Sequence, residues 1–146
     1  MRPSARLGLV GGATLLVSAC GAAASADDLP GPPTVVSVTM TENHFAYSTS
    51  IGRGRTVFVA LNKGHVMHRL ELVPLPKDFP PIAVQLHGTV RRPVQVIAST
   101  PQTPPGQTGS FAVDLSPGRF ALVSFLIDQD GISQAVKGMA TEFVVH

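Results

Sequence analysis

Alternating apolar and polar residues predict β-strands through most of the chain. In residues 34–41, Val36, Val38 and Met40 fall on one side, while serine or threonine falls on the other, which is the period of a half-buried strand. Turn sequences at residues 52–54 and 62–64 separate the β-prone runs that follow. Residues 45–47 are predicted to continue the strand at residues 34–41 after a break at Asn43. Further strands are predicted at residues 56–61, 68–72, 110–115, 119–127 and 141–145.

Two of these runs predict where side chains point. In residues 68–72, His68 shares its side with Leu70 and Leu72, so we expect its imidazole to face inward, with Arg69 and Glu71 facing out. The run 119–127 is apolar on both sides, which is typical of a central strand that is covered on both faces.

One short helix is predicted at residues 78–88. Asp78 can cap its start, Pro80 and Pro81 suit its first turn, and Gly88 suits its end. About seven strands and one short helix indicate an all-β domain, a Greek-key β-sandwich.

The first 33 residues predict an export leader. Arg2 and Arg6 precede an uncharged stretch at residues 7–19, too short for a membrane-spanning helix of roughly 20 residues. The only cysteine, Cys20, follows the sequence LVSA, which resembles the bacterial lipobox. We expect a signal peptide over 1–19, a lipidated Cys20 with a flexible tether over 20–33, and one domain over 34–146. Ordinary cleavage near residues 22–24 is the alternative.

Composition narrows the function classes. Hydrophobic residues make up 44% of the chain and charged residues 14%, which predicts a packed core. Apart from the two leader arginines, nine basic residues balance nine acidic ones, so we expect no nucleic-acid partner. The sequence carries no nucleophile elbow, phosphate loop or zinc motif. We therefore expect a protein that is not an enzyme, held at the extracytoplasmic side of the cell membrane by its lipid.

Two segments resemble the cupredoxin, or blue copper, family. The first, residues 57–70, reads VFVALNKGHVMHRL and is similar to the family's strand, N-x-G turn and histidine. The second begins PGRFALVS at residue 117 and continues to Gly138, Met139 and a last strand, similar to the family's P-G-x-[YF]-x-x-x-Cys, histidine loop and Gly-Met. The resemblance covers roughly residues 35–146 and implies a cupredoxin-like Greek-key β-sandwich.

The resemblance also implies a copper ligand set, which this sequence fills only in part. A type 1 centre uses two imidazoles, a thiolate and a distant methionine sulfur. His68 stands at the first histidine position and Met139 at the axial position. Ser124 stands in place of the cysteine, and Gln134 stands near the second histidine. Hydroxyl and amide groups are poorer copper donors, so we expect no type 1 centre and no cofactor.

Two interpretations of the histidines stay open. His68 is either hydrogen-bonded to Ser124 or Gln134 with Met139 in the core, or part of a colourless copper site around His65, Met67 and His68. A regular strand points His65 and Met67 away from His68, so the second case requires a bend at the preceding turn. The remaining histidines are His44, a further candidate ligand, and His87 and His146, which we expect to be exposed.

The preferred hypothesis is an exported, membrane-anchored lipoprotein with a degenerate cupredoxin-like domain. Its role would be binding or structural, with another envelope protein as partner. The alternative hypothesis is a copper-binding or electron-transfer protein with an atypical site.

Overall fold

A computed structural model describes residues 31–47, 50–89 and 91–146. The predicted signal peptide, Cys20 and the predicted tether as far as residue 30 lie outside the described residues. The elements, in chain order, are β1 (Thr34–Thr41), β2 (His44–Ala46), β3 (Gly54–Asn62), β4 (Glu71–Leu75), α1 (Ile82–His87), β5 (Ala98–Ser99), β6 (Thr108–Leu115), β7 (Gly118–Val123) and β8 (Ala140–Val145).

The strands form two four-stranded sheets, in the orders β2-β1-β3-β6 and β5-β4-β7-β8. β1 pairs with β3 in parallel, and the other paired strands are antiparallel. The main core includes Val36, Phe58, Leu72 and Leu122, all fully buried. Within the described residues, no helix is long and apolar enough to cross a membrane.

β7 has cores on both faces, as its unbroken apolar run predicts. Phe120 and Leu122 belong to the core between the sheets. Ala121 and Val123 belong to a second core on the other face, which α1 covers with Ile82 and its neighbours. The prediction of a doubly covered central strand is confirmed for this segment.

The helix is shorter than the prediction of residues 78–88. It begins at Ile82, with Pro81 at the N-cap position and an extended backbone there. A residue that precedes proline is disfavoured in helical geometry, and both Phe79 and Pro80 precede one. Asp78 does not cap the helix; its carboxylate lies 2.6 Å from Nη1 of Arg92.

Several strand limits also differ from the predictions. Residues 45–47 do not continue β1: Asn43 adopts a positive φ of 65°, and β2 folds back antiparallel to β1. His68 lies before β4 and makes an isolated bridge with Thr103. The two-residue β5 was not predicted, so the strands number eight among the described residues.

Glu71 is buried, which corrects the expectation that it faces solvent. Its carboxylate lies 3.0 Å from Nη2 of Arg69 and accepts a 2.7 Å hydrogen bond from the backbone N–H of Phe125. The same contact explains why β7 ends at Val123 and not at Ile127. The Glu71 side chain accepts the Phe125 N–H, which would otherwise be available to continue the hydrogen bonds between strands beyond Val123.

Candidate functional site

Three chain segments meet at one end of the sandwich. They are the β1–β2 turn, the loop from β3 to His68, and the loop from β7 to β8. His68 is fixed by two backbone hydrogen bonds with Thr103, of 3.1 and 2.8 Å. The β7–β8 loop returns to its start, since the N–H of Ser124 donates to the carbonyl of Met139 at 3.0 Å.

Gln134 connects these segments through its side-chain amide. Its Oε1 lies 3.0 Å from Nδ1 of His68 and accepts a 2.8 Å hydrogen bond from the hydroxyl of Ser124. Its Nε2 donates to the carbonyl of Met67 at 2.9 Å and to Oδ1 of Asp128 at 2.8 Å. All four hydrogen bonds that an amide can make are therefore formed.

This amide decides which nitrogen of His68 carries the proton. Both partners of the Gln134 Nε2 group are acceptors, so the oxygen must be the atom that faces His68. An amide oxygen only accepts hydrogen bonds, and Nδ1 of His68 must then donate. In the neutral imidazole, Nε2 is left with a free lone pair.

A carboxylate lies near that lone pair. Nε2 of His68 is buried and has no hydrogen-bond partner among the residues that the structure describes. Its neighbour is Oε1 of Glu42, at 3.9 Å. A hydrogen bond from the backbone N–H of His65 lowers the pKa of the Glu42 carboxyl to about 2, so this group is anionic at neutral pH.

Gly64 keeps the space between these two atoms open. A Cβ at this position would lie 2.6 Å from Nε2 of His68 and 2.6 Å from Oε1 of Glu42. Asn62 holds the glycine there by accepting its backbone N–H at 2.8 Å. The glycine is thus required by a close approach between two polar atoms.

A cavity of about 180 Å³ opens beside His68. Met139, fully buried, lines it together with Glu42 and His68. Lys137 also lines it, but its ammonium lies 2.7 Å from Asp128 and 2.6 Å from Asp130, which raises the pKa of Lys137 and compensates its charge.

The structure brings some of the candidate residues together and separates others. His68, Ser124, Gln134 and Met139 are all buried at this end. The other candidate residues are exposed to solvent. They are His65, Met67, His44, His87 and His146. Met67 lines a neighbouring groove, and His65 lies next to Glu42.

The buried trio does not fit a type 1 copper centre. Ser124 and Gln134 supply a hydroxyl and an amide, which already bond to each other and to His68. A type 1 centre needs a thiolate, and the single cysteine, Cys20, lies outside the described residues. Within the described ranges, no group of three or more His, Cys, Asp and Glu side chains is arranged to hold a metal ion. A site here would combine His68 and Glu42 with the thioether of Met139.

Glu42 and Gly64 are the residues that the sequence did not reveal as candidates. Glu42 lies in the turn between β1 and β2, twenty-six positions before His68 in the numbering. Only the parallel pairing of β1 with β3 places the two ends of these strands together. The N-x-G turn was visible as a turn, but its role in opening a gap was not.

Comparison with known proteins identifies the fold. No family model matches the chain, and no curated protein matches its sequence. Among solved structures, it is similar to reduced auracyanin from Roseiflexus castenholzii (18% identity, TM-score 0.55, covering 80% of this chain and 99% of that one). It is also similar to auracyanin A from Chloroflexus aurantiacus, described as a "blue" copper protein (14% identity, TM-score 0.52, covering 79% of this chain and 100% of that one). A third similar structure is rusticyanin from Thiobacillus ferrooxidans (17% identity, TM-score 0.50, covering 79% of this chain and 79% of that one).

These similarities confirm that the domain is a cupredoxin-like β-sandwich. They contradict our expectation that the domain carries no cofactor, because structures of this fold that resemble it include a blue copper protein. That expectation followed from the donor types of Ser124 and Gln134. Those two residues lie on the Nδ1 side of His68, whereas the free nitrogen of the ring is Nε2, next to Glu42.

Proposed function

We propose that this domain binds copper as a carried ion, at a colourless site formed by Nε2 of His68, the carboxylate of Glu42 and the thioether of Met139. The observation that carries the proposal is the buried Nε2, which faces an anionic oxygen at 3.9 Å and has no hydrogen-bond partner in the described residues. A lone pair and a carboxylate repel each other unless a cation stands between them.

The distances and donors suit such an ion. Two atoms that bind one first-row metal ion at about 2 Å each lie up to about 4 Å apart. A metal-binding histidine usually donates its other N–H to a fixed acceptor, as His68 donates to Gln134. Imidazole with a buried thioether favours Cu(I), and the copper of auracyanin A supports copper as the ion.

The competing occupant of the gap is a proton. A doubly protonated His68 would also stand beside Glu42 with its charge compensated. The two cases differ in what they need: a proton does not require Met139, whereas a soft metal ion does. Variants of Met139 therefore separate copper binding from a simple ion pair.

The test is titration of the purified domain with Cu(I) against a coloured competing chelator. We expect one equivalent to bind to the wild type without visible colour. Met139→Leu, which conserves volume, and His68→Gln should each weaken binding about tenfold or more. Gly64→Ala keeps every ligand but fills the gap, and should do the same. Gly52→Ala is the matched control, because a Cβ at residue 52 has nothing within 4 Å.

Two results would overturn the proposal. One is the absence of saturable copper binding in the wild type. The other is binding that Met139→Leu and Gly64→Ala leave unchanged while both variants remain folded, as judged by circular dichroism.

We further propose that the domain acts outside the cytoplasm, held on the membrane by lipid on Cys20, and that its role is binding and not catalysis. The leader at residues 1–19 and the position of the cysteine support this location. Labelling of the full chain with a radioactive fatty acid tests it. We expect label and membrane fractionation in the wild type, and neither in Cys20→Ser.

A further inference from the structure

Two imidazoles flank one oxygen of Glu42. Nδ1 of His65 lies 3.5 Å from Oε1, and Nε2 of His68 lies 3.9 Å from the same atom. The three side chains differ greatly in exposure: His65 is 95% exposed, Glu42 39% and His68 1%. Three side chains that can bind a metal ion therefore follow one another with decreasing exposure, from His65 in solvent through Glu42 to the buried His68.

Hydrogen bonds to the backbone hold these three residues in place. The N–H of His65 donates to the carboxylate of Glu42. Asn62, fully buried, donates to the carbonyls of Val66 and Thr103, both at 2.8 Å. The loop that carries His65 is therefore tied to the β1–β2 turn on one side and to the β5–β6 connection on the other.

We propose that His65 is the capture ligand through which copper reaches and leaves the buried His68 site. The inference rests on the proposed function, and it names how the site exchanges its ion. Because Oε1 of Glu42 is shared, an ion held by His65 and Glu42 needs to exchange only its imidazole to move inward.

The exchange balances without a redox step. The bond from Cu(I) to its donor complex breaks as a bond to Nδ1 of His65 forms. The bond to His65 then breaks as a bond to Nε2 of His68 forms. Copper stays Cu(I) throughout. The neutral form of His68 carries its N–H on Nδ1, facing Gln134, so copper binding at Nε2 displaces no proton from this form. The copper source that suits this exchange is a complex in which Cu(I) is held by soft or imidazole ligands and is accessible to the exposed His65.

The test measures rates of copper transfer by stopped flow, with Cu(I) presented as its complex with a coloured chelator. We expect His65→Leu to slow both uptake and release about tenfold or more, while the equilibrium affinity changes far less. His65→Met should restore much of the rate, since a thioether also binds Cu(I). Both variants keep the backbone N–H that binds Glu42. His87→Leu, an exposed histidine of α1, is the control and should leave the rates unchanged.

Each outcome decides the inference. Unchanged rates in His65→Leu overturn it, and so does a loss of affinity that comes from faster release, which would make His65 a resident ligand. Equal rates for the Leu and Met variants would show a steric role and also overturn it. If the wild type binds no copper, the proposed function itself fails.

Discussion

Ser124 donates a hydrogen bond to the amide oxygen of Gln134 across 2.8 Å, and both side chains are buried. The same oxygen accepts the N–H of His68 at 3.0 Å. The hydroxyl of Ser124 and the Nδ1–H of His68 therefore converge on one polar atom, where each of these two donors is satisfied without an ion. The arrangement explains how a domain of this fold keeps a polar group of residues stable in its interior.

Replacing Gln134 with leucine should be strongly destabilising. The change leaves the N–H of His68, the hydroxyl of Ser124 and the carbonyl of Met67 without their partner, and each buried unsatisfied group costs about 1–3 kcal/mol. We expect a loss of about 3 kcal/mol or more in the free energy of unfolding, measured with urea. Gln85→Leu is the matched control, because Gln85 is as buried but makes only two side-chain bonds among the described residues. Equal losses in the two variants would contradict the central role of Gln134.

The double substitution Ser124→Cys and Gln134→His should create a type 1 copper centre. Nδ1 of His68 and Oγ of Ser124 already face one common atom at 3.0 and 2.8 Å. Removing the amide and supplying a thiolate and a second imidazole completes the ligand types that such a centre needs. We expect intense blue absorption with Cu(II) in the double variant.

Gln134→His alone is the control for this prediction. It lacks the thiolate and should bind copper without the intense colour. A colourless copper complex of the double variant would mean that residues 124 and 134 do not present their side chains to one ion.

The inward position of His68 could be predicted because alternation in residues 68–72 places it with Leu70 and Leu72, and all three are buried. Periodicity reports the face of a strand reliably when one face is core. The same rule failed for Glu71. Its carboxylate is buried against Arg69 and the backbone of Phe125, which are partners that no local pattern reveals.

Glu42 could not have been found as a candidate ligand from the sequence. It is an ordinary acidic residue in a turn, and its significance comes from the parallel β1–β3 pairing that brings it to Gly64 and His68. The order of the two cupredoxin-like segments predicted the fold, and with it the grouping of Ser124, Gln134 and Met139. The gap at Nε2 depends on side-chain geometry and needed the structure.

The Asp78–Arg92 ion pair predicts a measurable change in the titration of Asp78. A hydrogen bond from the Arg92 guanidinium lowers the pKa of the Asp78 carboxyl below its ordinary value of 3.8. Because the folded pKa is depressed, the stabilisation is present above about pH 4 and is lost as the pH falls through the folded value. We expect Arg92→Gln to return this pKa toward 3.8 in a carbon NMR titration. Arg91→Gln, whose guanidinium bonds instead to the carbonyl of Leu86, should leave it unchanged.

Glu142 on β8 makes two separate contacts, one with the neighbouring strand β7 and one with the start of α1. Oε2 lies 2.9 Å from Nη2 of Arg119, and Oε1 accepts the N–H of Ile82 at the start of α1. The helix has no side-chain cap of its own at Pro81, so Glu142 satisfies an N–H that would otherwise be left without a partner.

Two substitutions of Glu142 should separate these contacts. Glu142→Gln keeps an acceptor for Ile82 but loses the ion pair with Arg119, which is partly exposed, and should cost about 0.5–1 kcal/mol. Glu142→Ala loses both and should cost about 1 kcal/mol more. Hydrogen exchange at the Ile82 amide should accelerate in the alanine variant and change little in the glutamine variant. If both variants lose the same stability and exchange alike, the contact with Ile82 contributes nothing, and α1 is held by the apolar packing of Ile82 and Leu86 alone.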